Sequence, residues 1–133
     1  MPYTYTATAE RIGTYSGRGH HLLTVTESGV TGNTDEWHFT LATLGLPRVG
    51  VVKAVLCSST GGTATQLNPD MGYAAGNADI YAKGGLANTP VHFHPTTGLI
   101  WPCDGGLIYG QSNANGTATT ITTYILIAEG ADQ

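Results

Sequence analysis

The chain has 133 residues and a formal net charge of −4, and only 11% of it is Asp, Glu, Lys or Arg, against about 25% in an ordinary soluble domain. Its 21 threonines and 19 glycines take the place of that charge, and they favour strands and turns respectively, so an all-β fold is expected. A hydrophobic content of 41% argues against disorder, the scattered Arg11, Arg18, Arg48, Lys53 and Lys83 offer no stripe for nucleic-acid phosphates, and no apolar run reaches the length of a membrane-spanning helix.

Along the chain, short runs rich in Thr, Val, Ile and Tyr alternate with glycine clusters. Tyr3 to Ala9 alternates Tyr, Thr and Ala, which suits an edge strand or an arm formed by residues 1–9. His20 to Glu27 is the next strand, and Gly29 to Asp35 reads as a turn-rich break. Trp37, Phe39 and Leu41 then share one face of a strand. After Gly45-Leu46-Pro47 comes a nearly continuous apolar run, Val49 to Cys57, expected as the central strand. Simple alternation groups Val52, Ala54 and Leu56 on one face, and Val49, Val51, Val55 and Cys57 on the other, with Lys53 interrupting.

From Ser58 to Gly76 the sequence is loop-like, with a short extended piece at residues 63–67. Ala78 to Lys83 suits a short strand or one helical turn, and Val91 to His94 a further strand. Leu99-Ile100-Trp101 and Leu107-Ile108-Tyr109 flank Asp104-Gly105-Gly106, which predicts a hairpin. After the turn pair Asn115-Gly116, the strand Thr119 to Ala128 sets Ile121, Thr123, Ile125 and Ile127 on one face. Residues 131–133 form a tail. With no repeat, linker or change of composition, residues 1–133 are expected to form one antiparallel β-sandwich domain, jelly-roll-like in texture.

Few residues suggest chemistry. Cys57 and Cys103 fit no zinc or redox spacing; they read as two buried thiols or as one disulfide. Met1-Pro2-Tyr3 begins no basic-then-apolar leader, so synthesis in the cytoplasm is expected. His92 and His94 lie two apart on one strand and so on one face, a spacing from which both could ligate a metal, with His20, His21 or His38 as a third ligand. The pair resembles the His-x-His of the cupin superfamily, but Thr97 and Gly98 stand where that motif has its glutamate and Gly85 lies seven residues before His92. The plainer reading is a pair of surface or interface histidines. Asp35, Glu36, Asp70, Asp79 and Asp104 fall in turns or at strand ends, where carboxylates bond backbone N–H groups. No nucleophile elbow or phosphate loop occurs, so no catalytic residue and no cofactor is expected. Trp37 reads as core; Trp101 could serve a sugar-binding platform.

One resemblance covers most of the chain. Glu36-Trp37-His38-Phe39-Thr40-Leu41, Leu46-Pro47 and Val49 to Leu56 are followed by Gly62-Thr63-Ala64-Thr65, Asn68-Pro69 and Met71-Gly72. Asp104-Gly105-Gly106-Leu107-Ile108-Tyr109 and Tyr124-Ile125-Leu126-Ile127-Ala128-Glu129-Gly130 complete the series. In order and texture these segments resemble the small β-rich structural proteins of tailed bacteriophages, the capsid decoration (cement) type above all. The resemblance implies a non-enzymatic virion protein on the capsid surface, partnered by the major capsid protein and by its own copies, as a homotrimer. A tail or fibre component is the alternative. Tyr3, Tyr5 and Trp101 are the expected interface residues, with Tyr3 to Thr8 able to add a strand to a neighbour.

Overall fold

The computed structural model describes residues 3–31, 35–83, 86–87, 91–95, 99–100, 106–112 and 114–130. Strand β1 (Thr4–Tyr15) and β2 (Arg18–Thr31) form a long hairpin closed by Ser16 and Gly17. Both turn residues have positive φ, 54° and 74°, the geometry whose twist matches that of the flanking strands. Next come β3 (Trp37–Thr40), a 3-10 turn over Ala42–Leu44, and β4 (Gly50–Thr60). Short strands follow: β5 (Gln66–Leu67), β6 (Asp70–Gly72), β7 (Tyr81–Ala82), β8 (Leu86–Ala87), β9 (Val91–Phe93) and β10 (Leu99–Ile100). The chain ends on β11 (Leu107–Gln111) and β12 (Thr117–Glu129).

Two antiparallel sheets pack face to face. The first runs β1-β2-β12-β4-β10, with β9 also paired to β4; the second runs β3-β11-β6-β7. Leaving aside β1 and the β5-β8 ribbon, the chain passes from β2 to β3 to β4, then to β6 and β7, and back through β9 and β10 to β11 and β12. Each step except β6 to β7 and β9 to β10 changes sheet. This is the eight-stranded jelly roll, a sandwich of two Greek keys, with β9 and β10 together filling one strand position.

Both sheets feed one core. Leu23, Val25, Val52, Val55, Ile125 and Ile127 from the first meet Trp37, Phe39, Met71, Tyr81 and Ile108 from the second. Trp37 is buried and its ring stacks on Phe39 with centroids 5.4 Å apart. A second cluster, Val30, Cys57, Ala64, Leu67, Ala114, Ala118 and Ile121, fills one end of the sandwich. Each of these large apolar side chains contributes about 1.5–3 kcal/mol by leaving water.

Several expectations need correction. Strand β2 continues through Gly29 (φ 70°) to Thr31, so the break before Trp37 is shorter than its turn-forming residues suggest. The stretch after Ser58 is not all loop: β4 extends to Thr60, and β6 pairs with both β11 and β7. The expected hairpin of residues 99–109 does not form. β10 pairs with β4 in one sheet and β11 with β3 and β6 in the other. A tight-turn signal is local, whereas these strands deliver Ile100 and Ile108 to the core from different sheets. In β4, Ile127 pairs with Val52 and Leu126 with Ala54, leaving Lys53 as an extra, exposed residue. This β-bulge reverses the alternation. Val52 therefore faces inward with Val55 and Cys57, while Ala54 and Leu56 face outward.

Two substitutions test this packing. Val52→Ala is expected to cost about 1–2 kcal/mol in chemical denaturation, and Ala54→Ser less than about 0.5 kcal/mol; equal costs would contradict the bulge. Gly110 pairs with Trp37, and a Cβ there would overlap the indole. Gly110→Ala is therefore expected to destabilise by about 1–3 kcal/mol.

Candidate functional site: an uncharged outer face backed by a polar belt

Period-two alternation commits the opposite side of β1, β2, β12 and β4 to solvent. The register lays its residues in four rows across the sheet. Thr4, Ser28, Thr120 and Thr60 form the first row, and Thr6, Thr26, Thr122 and Ser58 the second. The third is Thr8, Thr24, Tyr124, Leu56 and, on β9, His92; the fourth is Glu10, Leu22, Leu126 and Ala54. None of these residues is buried. Glu10, on the edge strand, is the one formal charge in the four rows, and the exposed bulge residue Lys53 stands beside the fourth.

The face divides into a hydroxyl half and an apolar half. Tyr124 and Leu56 are direct cross-strand partners, 39% and 38% exposed, and both are larger than chance surface exposure requires. Around them Leu22, Ala54, Leu126 and His92 line an open groove of about 450 Å³. A smaller hollow of about 280 Å³ between Thr8, Glu10, Leu22 and Thr24 continues it towards β1.

Behind this face, a belt of polar side chains separates the two apolar clusters. Along β2 the inward series is Leu23, Val25, Glu27, and along β12 it is Ile121, Thr123, Ile125. Glu27 and Thr123 are both buried. Tyr3 donates to Glu27 Oε2 at 2.7 Å, and Ser112 donates to Oε1 at 2.5 Å. Burial pushes the Glu27 carboxyl up to about 7, against the lowering effect of those two hydrogen bonds, and the nearby Asp35 adds to the rise. Cys57 is a buried free thiol 3.4 Å from the Thr123 hydroxyl. Burial raises it to about 11, so at neutral pH it is protonated and a poor nucleophile. Tyr81 is buried, its hydroxyl has no hydrogen-bond partner among the described residues, and burial holds it well above the usual phenol range.

The residues singled out from sequence fall in separate places. Tyr3 and Tyr5 lie on the inward side of β1, each engaged within its own chain. Tyr3 bonds Glu27, while Tyr5 donates to the His38 carbonyl at 3.1 Å and lies beside its ring. Residues 4–9 are thus part of an edge strand of their own sheet rather than a detached arm. Trp101, Cys103, Asp104 and the tail at residues 131–133 lie outside the described residues.

His92 and His94 are both exposed, with ring centroids 5.6 Å apart. His92 projects from the outer face beside Leu56, whereas a cupin-like metal would need it inside the sandwich. His94 donates through Nδ1 to the Lys53 carbonyl at 3.0 Å. The other histidines are placed elsewhere. His21 points inward and its Nε2 donates to Glu129 at 2.6 Å, His20 packs against Tyr15, and His38 stands between Tyr5 and Tyr109. Among the described residues no three His, Cys, Asp or Glu side chains come together as metal ligands. Asp35, Glu36 and Asp79 accept backbone N–H bonds from Thr31, Gly76 and Tyr73. Glu27 went unnoticed in the sequence, although the inward positions His21, Leu23 and Val25 point straight to it.

No family model matches the chain, and no curated protein matches it in sequence.

The Glu27 environment predicts a pH dependence. Its folded pKa, about 7, lies above the unfolded value of 4.5, so the fold favours the protonated acid. That contribution is complete below pH 4.5, declines as pH rises, and is gone above about 7. A rise of this size corresponds to about 3 kcal/mol, or a fall of roughly 10 °C in Tm between about pH 5 and pH 8. Glu27→Gln should abolish most of this fall. Thermal melts showing no pH trend in the parent chain would contradict the assignment.

Proposed function

We propose that this protein is a non-enzymatic virion structural component, a head decoration protein that binds the lattice of the major capsid protein and stabilises it, acting as a homotrimer. The observation that carries this reading is the outer sheet face, four strands wide, with two charges at its margins, Glu10 on β1 and Lys53 at the bulge of β4. Covering the rows between them buries few charges that would need pairing, so its desolvation is cheap.

Other features agree with a scaffold rather than a reaction centre. The most strongly shifted acid, Glu27, is enclosed by Tyr3 and Ser112 and holds strands together. The Cys57 thiol is held protonated. Trp37 is buried under Phe39 and offers no surface for a sugar. The mechanism is mass action: a chain that binds the assembled lattice and not its separated subunits shifts the equilibrium towards the intact shell.

Expanded capsids lacking this protein provide the test. Added protein is expected to bind to saturation at a fixed number of copies per capsomer and to raise the temperature at which the shells open. Shells that remain bare would refute the proposal.

A further inference from the structure

We infer that copies of this chain bind one another through the outer face of the β1-β2-β12-β4-β9 sheet, with Leu56 and Tyr124 at the centre of the contact. This rests on the self-association in the reading above and is independent of the capsid partner.

Three features of the face select a second copy as its occupant. The first is charge. The chain carries −4 overall, so two copies repel through most of their surface, but this face carries only Glu10 at its β1 edge and Lys53 of the bulge beside Ala54, with no formal charge around Leu56 and Tyr124. A strongly charged partner would find only these two groups, of opposite sign, to answer it.

The second is hydrogen bonding. Each Thr or Ser hydroxyl both donates and accepts, so the rows headed by Thr4 and Thr6 are complementary to themselves. A carboxylate-rich or guanidinium-rich surface would satisfy only half of that capacity.

The third is size. Four strands at about 4.8 Å and four rows at roughly 6.8 Å give a projected area of about 520 Å². That is about two thirds of the 800 Å² or so that each partner contributes to a stable interface. A small molecule would occupy only the groove, where His92 and the Tyr124 hydroxyl are the sole polar side-chain groups among the described lining residues. Tyr124 and Leu56 have the anchor character that interface centres show, a large amphipathic ring beside an aliphatic side chain.

Molar mass measured by sedimentation or light scattering, from micromolar to submillimolar concentration, tests the inference. The parent chain is expected at a closed multiple of its 13.8 kDa: two where the face pairs with itself about a two-fold axis, three where different parts of it meet around a three-fold axis. Leu56→Lys and Tyr124→Lys should each bring it to a single chain. Both side chains are exposed in the protomer, so these variants should retain cooperative unfolding. As a readout without substitution, the Tm of the parent chain should rise with protein concentration. A parent chain that stays monomeric with a concentration-independent Tm would overturn the inference. So would an oligomer whose mass neither substitution changes. Capsid binding is read separately: shells that stay bare beside an intact oligomer count against the decoration role alone.

Discussion

Strand β12 lies between β2 and β4 and is paired along most of its length on both sides. The same alternation that sends Ile121, Ile125 and Ile127 into the core commits Thr120, Thr122, Tyr124 and Leu126 to the outer face. Core and face are therefore two readings of a single register. A slip of one residue would bury the hydroxyls and expose the isoleucines. The bulge at Lys53 is part of this arrangement, because it lets Val52 rejoin the core while Leu56 stands beside Tyr124.

The buried belt shows a second tension. Two apolar clusters would be more stable if joined without a carboxyl between them, since burying an acid costs free energy that two hydrogen bonds only partly return. In exchange, Glu27 holds Tyr3, just ahead of β1, and Ser112 from the segment before β12. Strand β1 is the edge of its sheet, and it reaches the core through Tyr5 and the small side chains Ala7 and Ala9. The Tyr3 hydroxyl anchors the open end of that hairpin, 24 residues in sequence from its partner.

The sandwich class was legible because period-two patterns in β2, β3 and β12 are strong and locally encoded. Trp37 and the isoleucines of β12 could be assigned to the core from spacing alone. What escaped was information held between strands. Lys53 marks an interruption in β4 without disclosing the bulge that reverses its faces, and the Asp-Gly-Gly turn signal does not disclose that β10 and β11 join opposite sheets. The outer face was foreshadowed by composition, as a surface poor in charge, but its location needed the register. Tyr3 and Tyr5 attracted attention as aromatic residues on an edge strand, and the alternation of β1 turns both inward. The histidine pair followed its spacing onto one strand, yet only the sheet pairing reveals that His92 points away from the sandwich interior.

The division of labour within β12 also bears on how such a sequence drifts. Positions on the outer rows face away from the core and are unburied, so they tolerate exchange among β-favouring side chains better than the inward positions do. Inward positions are constrained by volume, and Gly110 by the indole against it. Selection for folding therefore leaves the outer rows free to diversify. If threonine and serine persist there across related lineages, the restraint comes from what the face touches, and the pattern of substitution would record an assembly that a single chain does not display.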